Sequence, residues 1–192
     1  MRIGVLAAQG AFAEHVAALT SMGVDSIAIR LPQHLDEVDG LILPGGESTT
    51  IGKLLRRWSL IEPICSFASA GRPIWGTCAG MILLAREVVD PAVDQPLLGL
   101  MDITVQRNAF GRQVDSFEID LDIPILGEPA FPATFIRAPR IARVGSAVEK
   151  LAVLEEGSIV AVRQEKLLAT AFHPELTEDY RFHTYFASLC ST

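Results

Sequence analysis

Apolar positions in the first ninety residues fall into short continuous blocks separated by stretches of helical period. "RIGVLAA" (2–8) is a strand-like run ending at Gln9-Gly10. In "AFAEHVAALTSMG" (11–23), Phe12, Val16 and Leu19 recur at helical spacing until Gly23 stops the pattern. Two further strand-like blocks follow, "SIAIRL" (26–31) and "DGLILPGG" (39–46), the second closed by Pro44-Gly45-Gly46. "ESTTIGKLLRRW" (47–58) and "IEPICSFASAG" (61–71) read as helices, and "RPIWG" (72–76) as the next strand. This alternation, which runs to about residue 88, predicts a parallel sheet with helices on its faces.

Beyond Arg86 the period changes to that of strands. "PLLGLMDITVQRN" (96–108), "SFEIDLDI" (116–123), "ATFIRAP" (133–139) and the run from 151 to 175 alternate, with a hairpin expected around Glu156-Gly157. "EDYRFHTYFASLC" (178–190) then supplies a C-terminal helix. Glu118, Asp120 and Asp122 point the same way along one strand face; acids at every second position mark a solvated face rather than a catalytic pair. A chain of 192 residues with no repeat, low-complexity tract or linker is expected to form a single domain, 1–192.

Composition narrows the function classes. With 49% hydrophobic and 20% charged residues, the chain is an ordinary globular one, and its net charge of −7 argues against a nucleic-acid partner. Cys65, Cys78 and Cys190 are too scattered for a disulfide framework, and no Cys/His spacing suits a metal. The N-terminus lacks the plan of a signal peptide and no apolar run would span a bilayer, so we expect no membrane partner, a cytoplasmic location and a mature chain starting at Met1.

Candidate chemistry concentrates in three places. In "RPIWGTCAGMILLA" (72–85) a strand turns into a helix at Gly76-Thr77-Cys78-Ala79-Gly80. Such a turn can lift a cysteine above a sheet edge, where helix N-terminal dipoles favour the attacking thiolate; a buried structural cysteine would need no such setting. In "LLATAFHPEL" (167–176) an apolar strand delivers His173, and Pro174 keeps it out of helical angles. Extended backbone then places Glu175 on the same side, where its carboxylate can orient the imidazole. Together these give a Cys78-His173-Glu175 set of nucleophile, proton shuttle and orienting acid. His15, His34 and His183 are expected at the surface or an interface. In "LILPGGEST" (41–49) paired glycines after a strand allow backbone N–H groups to face a developing oxyanion. A plain turn is the alternative there, and a phosphate cradle is disfavoured because the G-x-x-x-x-G-K-[ST] pattern is missing.

With "GVLAAQGAFAEH", "DGLILPGGESTT", "GTCAG", "RNAFGRQVDSFE", "FIRAP" and "FHPELTED" in this order, the sequence resembles the glutaminase subunits of pyridoxal 5'-phosphate synthases, which are class I, triad-type glutamine amidotransferases. The "GTCAG" and "HPE" motifs are common to many amidotransferases, whereas the Q-G-A-x-x-E-H, R-N-x-F-G-R-Q and "FIRAP" stretches single out the vitamin B6 branch. Ala8 departs from the bulkier apolar residue common in similar proteins. The resemblance implies a three-layer α/β fold with a flavodoxin-like, mostly parallel sheet, and no cofactor or metal. It implies Cys78, His173 and Glu175 as the triad. It further implies Gly46, Glu47, Ser48, Arg107, Ile136 and Arg137 as the L-glutamine site, and ammonia delivery to a barrel-shaped synthase subunit. Backbone groups near Gly45, Gly46 and Ala79 would hold the oxyanion, with Gln9 beside them in a turn that a partner could gate. Two rivals remain at this point: an amidotransferase serving another synthase, and a noncatalytic elbow-cysteine redox or stress protein.

Overall fold

The computed structural model describes residues 1–89, 91–107 and 116–191. Its first half runs β1 (Arg2–Leu6), α1 (Phe12–Ser21), β2 (Asp25–Ile29), β3 (Gly40–Leu43), α2 (Ser48–Arg57), α3 (Ile61–Ser69) and β4 (Ile74–Thr77). There follow α4 (Ala79–Leu84), β5 (Ala85–Val89), β6 (Met101–Gln106), β7 (Ser116–Leu121), β8 (Phe131–Ile136) and β9 (Arg140–Val144). The chain closes with β10 (Glu149–Val153), β11 (Ile159–Gln164), β12 (Leu167–Thr170) and α5 (Arg181–Cys190).

The large sheet has the order β2-β1-β3-β4-β12-β11-β9-β6-β5, with β10 added beside β11. From β2 to β12 all neighbours are parallel, in the flavodoxin-like order in which the second strand lies outside the first. Beyond β12 the pairings to β11, β9 and β6 are antiparallel, so the whole sheet is mixed while its core is parallel. The β10–β11 hairpin turns at Leu154–Ser158, where the sequence places it. β7 and β8 form a separate antiparallel pair, and Glu118 and Asp120 are solvent-exposed on it as expected.

Strand β4 shows how both faces are covered. Neighbouring residues of a strand point to opposite faces. Trp75 meets α5 through Phe182 and Phe186 and α1 through His15. Gly76 faces α4 instead, and an added Cβ there would lie 2.5 Å from the Gly80 carbonyl carbon. Covered on both sides, β3 and β4 are buried at every position, which is why they read as unbroken apolar runs.

Two strands were not foreseen. The apolar run "MILLA" continues the α4 pattern in sequence, yet Ala85 turns extended and opens β5, drawn into register with Met101 of β6. In β9, "RIARV", the arginines interrupt the apolar signal, and pairing with β6 makes the strand. Among the described residues no helix is long and apolar enough to cross a membrane.

The consequence for function lies at the C-terminal edge of the parallel core, the edge at which open α/β sheets bind ligands. Gln9 follows β1, Gly45 and Gly46 follow β3, Cys78 follows β4 and His173 follows β12. Because β1, β3, β4 and β12 are consecutive in the sheet, these four segments converge.

Candidate active site

Cys78 occupies the N-cap position of α4 with φ 48° and ψ −102°, left-handed backbone for a residue with a side chain. Such a conformation costs about 1–3 kcal/mol and persists only where the surroundings enforce it. Here the Cys78 N–H donates to the Thr170 carbonyl of β12 at 2.8 Å, and the Cys78 carbonyl accepts from Ile82 N–H at 3.3 Å. The flanking glycines serve close approach rather than unusual dihedrals: neither has positive φ, and a Cβ on Gly80 would sit 1.9 Å from the Leu43 carbonyl oxygen. The helix can therefore press onto β3 and β4 and hold the elbow.

His173 is fixed from behind. Its N–H donates to the Thr134 carbonyl of β8 at 2.9 Å, and its Nδ1 donates to Glu175 Oε1 at 2.7 Å. Burial alone would lower its pKa, but hydrogen bonds to Cys78 and Glu175, and their charges, outweigh burial and push it up to about 10. These partners thus favour the protonated ring. Burial would raise the pKa of Glu175, yet His15 and the bond from His173 hold it below the usual carboxylate range. Gly45 packs on the pair: a Cβ there would lie 2.4 Å from His173 Cε1 and 3.4 Å from Cys78 Cβ. Cysteine, histidine and acid are together as the sequence suggested.

A cavity of about 360 Å³ opens over this group. Its walls include Gln9, Gly46, Glu47, Ser48, Cys78, Ala79, Arg107, Ile136, Arg137 and His173. Every residue named from the sequence is therefore at the cavity except Gly45 and Glu175, which stand directly behind it. Ile82 and Pro139 complete the lining and had no motif to announce them. The segment 108–115, which carries most of the "RNAFGRQVDSFE" motif, lies outside the described residues.

Charge is distributed across the cavity. Glu47 caps α2, its carboxylate accepting from Thr49 N–H at 3.1 Å, Thr50 N–H at 2.7 Å and the Thr50 hydroxyl at 2.8 Å. Burial opposes ionisation, but the Thr50 and Thr49 bonds prevail and keep its pKa low. Arg107 Nη2 stands 3.4 Å from Glu47 Oε1, and Arg137, with φ 42°, turns away from the end of β8. Two cations and one fixed carboxylate can receive a zwitterion. Gln9 Oε1 accepts from Glu47 N–H at 2.8 Å and the Gly45 carbonyl accepts from Ala11 N–H at 3.1 Å, so the turn after β1 braces the loop after β3.

The histidine assignments need correction. His15 and His183, expected at the surface or an interface, have no exposed surface. Helical phase carried the missed signal. His15 lies three residues after Phe12 and four before Leu19, and His183 adjoins Phe182 and precedes Phe186 by three, so both fall on apolar stripes.

The fold is shared with glutamine amidotransferases. The model of the SNO glutamine amidotransferase family matches residues 5–192, and the chain belongs to that family. It is 64% identical over 190 residues to "Pyridoxal 5'-phosphate synthase subunit PdxT" of Herpetosiphon aurantiacus, covering 98% of this chain and 100% of that protein. The protein of the same name from Moorella thermoacetica is 58% identical, with 98% and 99% covered. A solved structure described as a glutamine amidotransferase superposes with a TM-score of 0.93 at 49% identity, covering 99% of each chain.

Proposed function

We propose that this chain is the glutaminase subunit of a pyridoxal 5'-phosphate synthase, hydrolysing L-glutamine to L-glutamate and ammonia for vitamin B6 synthesis. The observation that carries the reading is His173, clamped between Glu175 and Cys78 at the floor of a cavity holding Arg107, Arg137 and Glu47. The family and its relatives favour this over an amidotransferase for another product, and a redox or stress protein would have no use for a cavity charged to fit an amino acid.

Glutamine enters with its α-carboxylate toward the arginines and its α-ammonium toward Glu47, which leaves the side-chain amide over Cys78. The thiolate adds to the amide carbon. Backbone N–H groups of Gly46 and Ala79 receive the oxygen as it becomes negative, and His173 hands its proton to the departing nitrogen, releasing ammonia and leaving a γ-glutamyl thioester. His173, now neutral, takes a proton from water as that water attacks the thioester; glutamate leaves and the Cys78-His173 pair is restored. No metal or cofactor enters these steps.

Ammonia then passes to the synthase subunit, a barrel in the resemblance drawn above, and the pair would work in the cytoplasm. The Gly45–Gly46 peptide is the natural gate. Rotating it exchanges the Ala11 N–H bond of the Gly45 carbonyl for another partner, and the Gln9 turn, which braces the loop, is where a docked subunit would act.

Ammonia release from glutamine by the purified chain, with and without its cognate synthase subunit, tests the proposal. Release should be slow alone and rise at least tenfold in the complex, and Cys78→Ala should remove it in both while the chromophoric and melting signatures of the fold persist. Wild-type release by folded Cys78→Ala, or none by the wild-type complex, would end this reading.

A further inference from the structure

Behind the catalytic set lies a buried line of polar groups that the hydrolysis, as derived above, does not use. Glu175 presents Oε1 to His173 at 2.7 Å; its other oxygen, Oε2, has no exposed surface and takes no well-aligned hydrogen bond. His15 Nε2 stands 3.4 Å from Oε2 and 3.3 Å from Thr77 Oγ1, so its edge is divided between the two. On its far side, His15 Nδ1 lies 3.0 Å from His183 Nε2.

These distances select one set of tautomers. A lone pair on His15 Nε2 would face the buried anionic oxygen, acceptor against acceptor; the Thr77 hydroxyl could donate to it, but that tautomer would turn the proton of His15 onto Nδ1 and leave a buried N–H on His183 Nδ1 without a partner. The proton therefore sits on Nε2, Nδ1 accepts, and His183 must donate from Nε2. The remaining buried atom without a partner, His183 Nδ1, is then a lone pair, which is cheaper to leave unpaired than an N–H. In this arrangement His183 donates to His15 and His173 donates to Glu175 Oε1, while His15 Nε2, hydrogen-bonded to Thr77 Oγ1, turns its N–H dipole toward Oε2 at 3.4 Å.

We propose that His15, its tautomer set by His183, is a positioning residue that holds the second oxygen of Glu175 and so aims the first at His173. With the His15 ring packed 3.4 Å from that oxygen, the carboxylate has less freedom to swing about its side-chain bond when His173 gives up its proton in each half of the reaction. His15 touches neither substrate nor nucleophile; it acts through Glu175. The charged and titratable groups around it are Glu14 on its own helix, Glu175 and His173 beyond β12, and His183 on α5. Both buried histidines are held below the ordinary histidine pKa, chiefly by burial, His183 at about 3.

The inference rests on the glutaminase reading, and the test separates the two. His15→Leu, His15→Gln and His183→Phe are assayed for glutamine hydrolysis in complex with the synthase subunit, with thermal melting as the control for folding. His15→Leu removes the donor at similar volume and should lower kcat about 10- to 100-fold with KM unchanged, the size seen when outer partners of an orienting group are lost. His15→Gln places an amide N–H near the position of Nε2 and should recover most of that loss. His183→Phe frees the tautomer and should cost several-fold in kcat only. Unchanged kcat in folded His15→Leu or His183→Phe, no recovery in His15→Gln, or a loss carried by KM would overturn the positioning role while the wild-type complex remained active. Should His15→Leu fail to fold, the kcat of His183→Phe and His15→Gln decides the matter.

Discussion

Two imidazoles share the Glu175 carboxylate, and their pKa values are driven in opposite directions. On the cavity side His173 is pushed up to about 10; on the core side His15 is driven down. Both are buried and both adjoin the same anion. The difference lies in depth and company: His173 also bonds to Cys78, a second group able to carry negative charge, whereas His15 has no exposed surface and feels the charge of His173 itself. One carboxylate is enough to orient a histidine but, at His15, not to offset its desolvation; at His173 the further bond to Cys78 turns the balance.

The comparison can be broken at its centre. Glu175→Gln removes the shared charge, and glutamine turnover in the synthase complex should fall by roughly 10²–10⁴-fold, less than for Cys78→Ala because the nucleophile remains. The ring resonances of His173 followed by NMR should titrate at lower pH in that variant; an unmoved titration would show that Cys78 alone holds the imidazolium. Substrate recognition should be separable from this pair. Arg107→Leu and Arg137→Leu should each raise the glutamine concentration for half-maximal rate by about 10- to 100-fold, corresponding to about 1.5–3 kcal/mol for a lost charged hydrogen bond, with kcat less affected. Unchanged saturation in both variants would move the amino-acid end of the substrate elsewhere.

The smallest effect expected is on stability, and its sign differs on the two sides. His173 binds its proton more tightly folded than unfolded, so its contribution is full below about pH 6.5 and is lost as pH rises through about 10. His183 does the reverse: the unfolded chain takes up its proton below about pH 6.5 while the folded chain resists to about 3, so stability falls with acid over that window. The melting temperature should fall at both extremes. His183→Phe should flatten the acid side, and His173→Asn the alkaline side; a symmetric response of either variant would contradict the opposition.

How far the site was legible follows from the range of each signal. The elbow at Cys78 is written in five consecutive residues, His173 and Glu175 are two apart, and the glycine loop adjoins a strand, so local turn chemistry named all three as candidates. The candidate residues for binding the amino-acid end came from resemblance, since an arginine at a strand end looks the same whether it meets solvent or substrate. His15 and His183 escaped because each was judged by its polar neighbours in sequence, although the phase of its helix pointed inward.

The sequence by itself determined the alternation of strands and helices, the parallel core, the edge at which the candidate site stands and the candidate reacting groups. These depend on periods of two and 3.6 residues and on turns a few residues long. Only the tertiary structure decided that α4 would stop after six residues so that β5 could pair with β6, and that Gly80 is needed because Leu43 approaches it. It alone brought His15 and His183, 168 positions apart, to 3.0 Å behind the same glutamate. Contacts of that kind arise when whole elements pack, and no local pattern records which distant side chain will meet which.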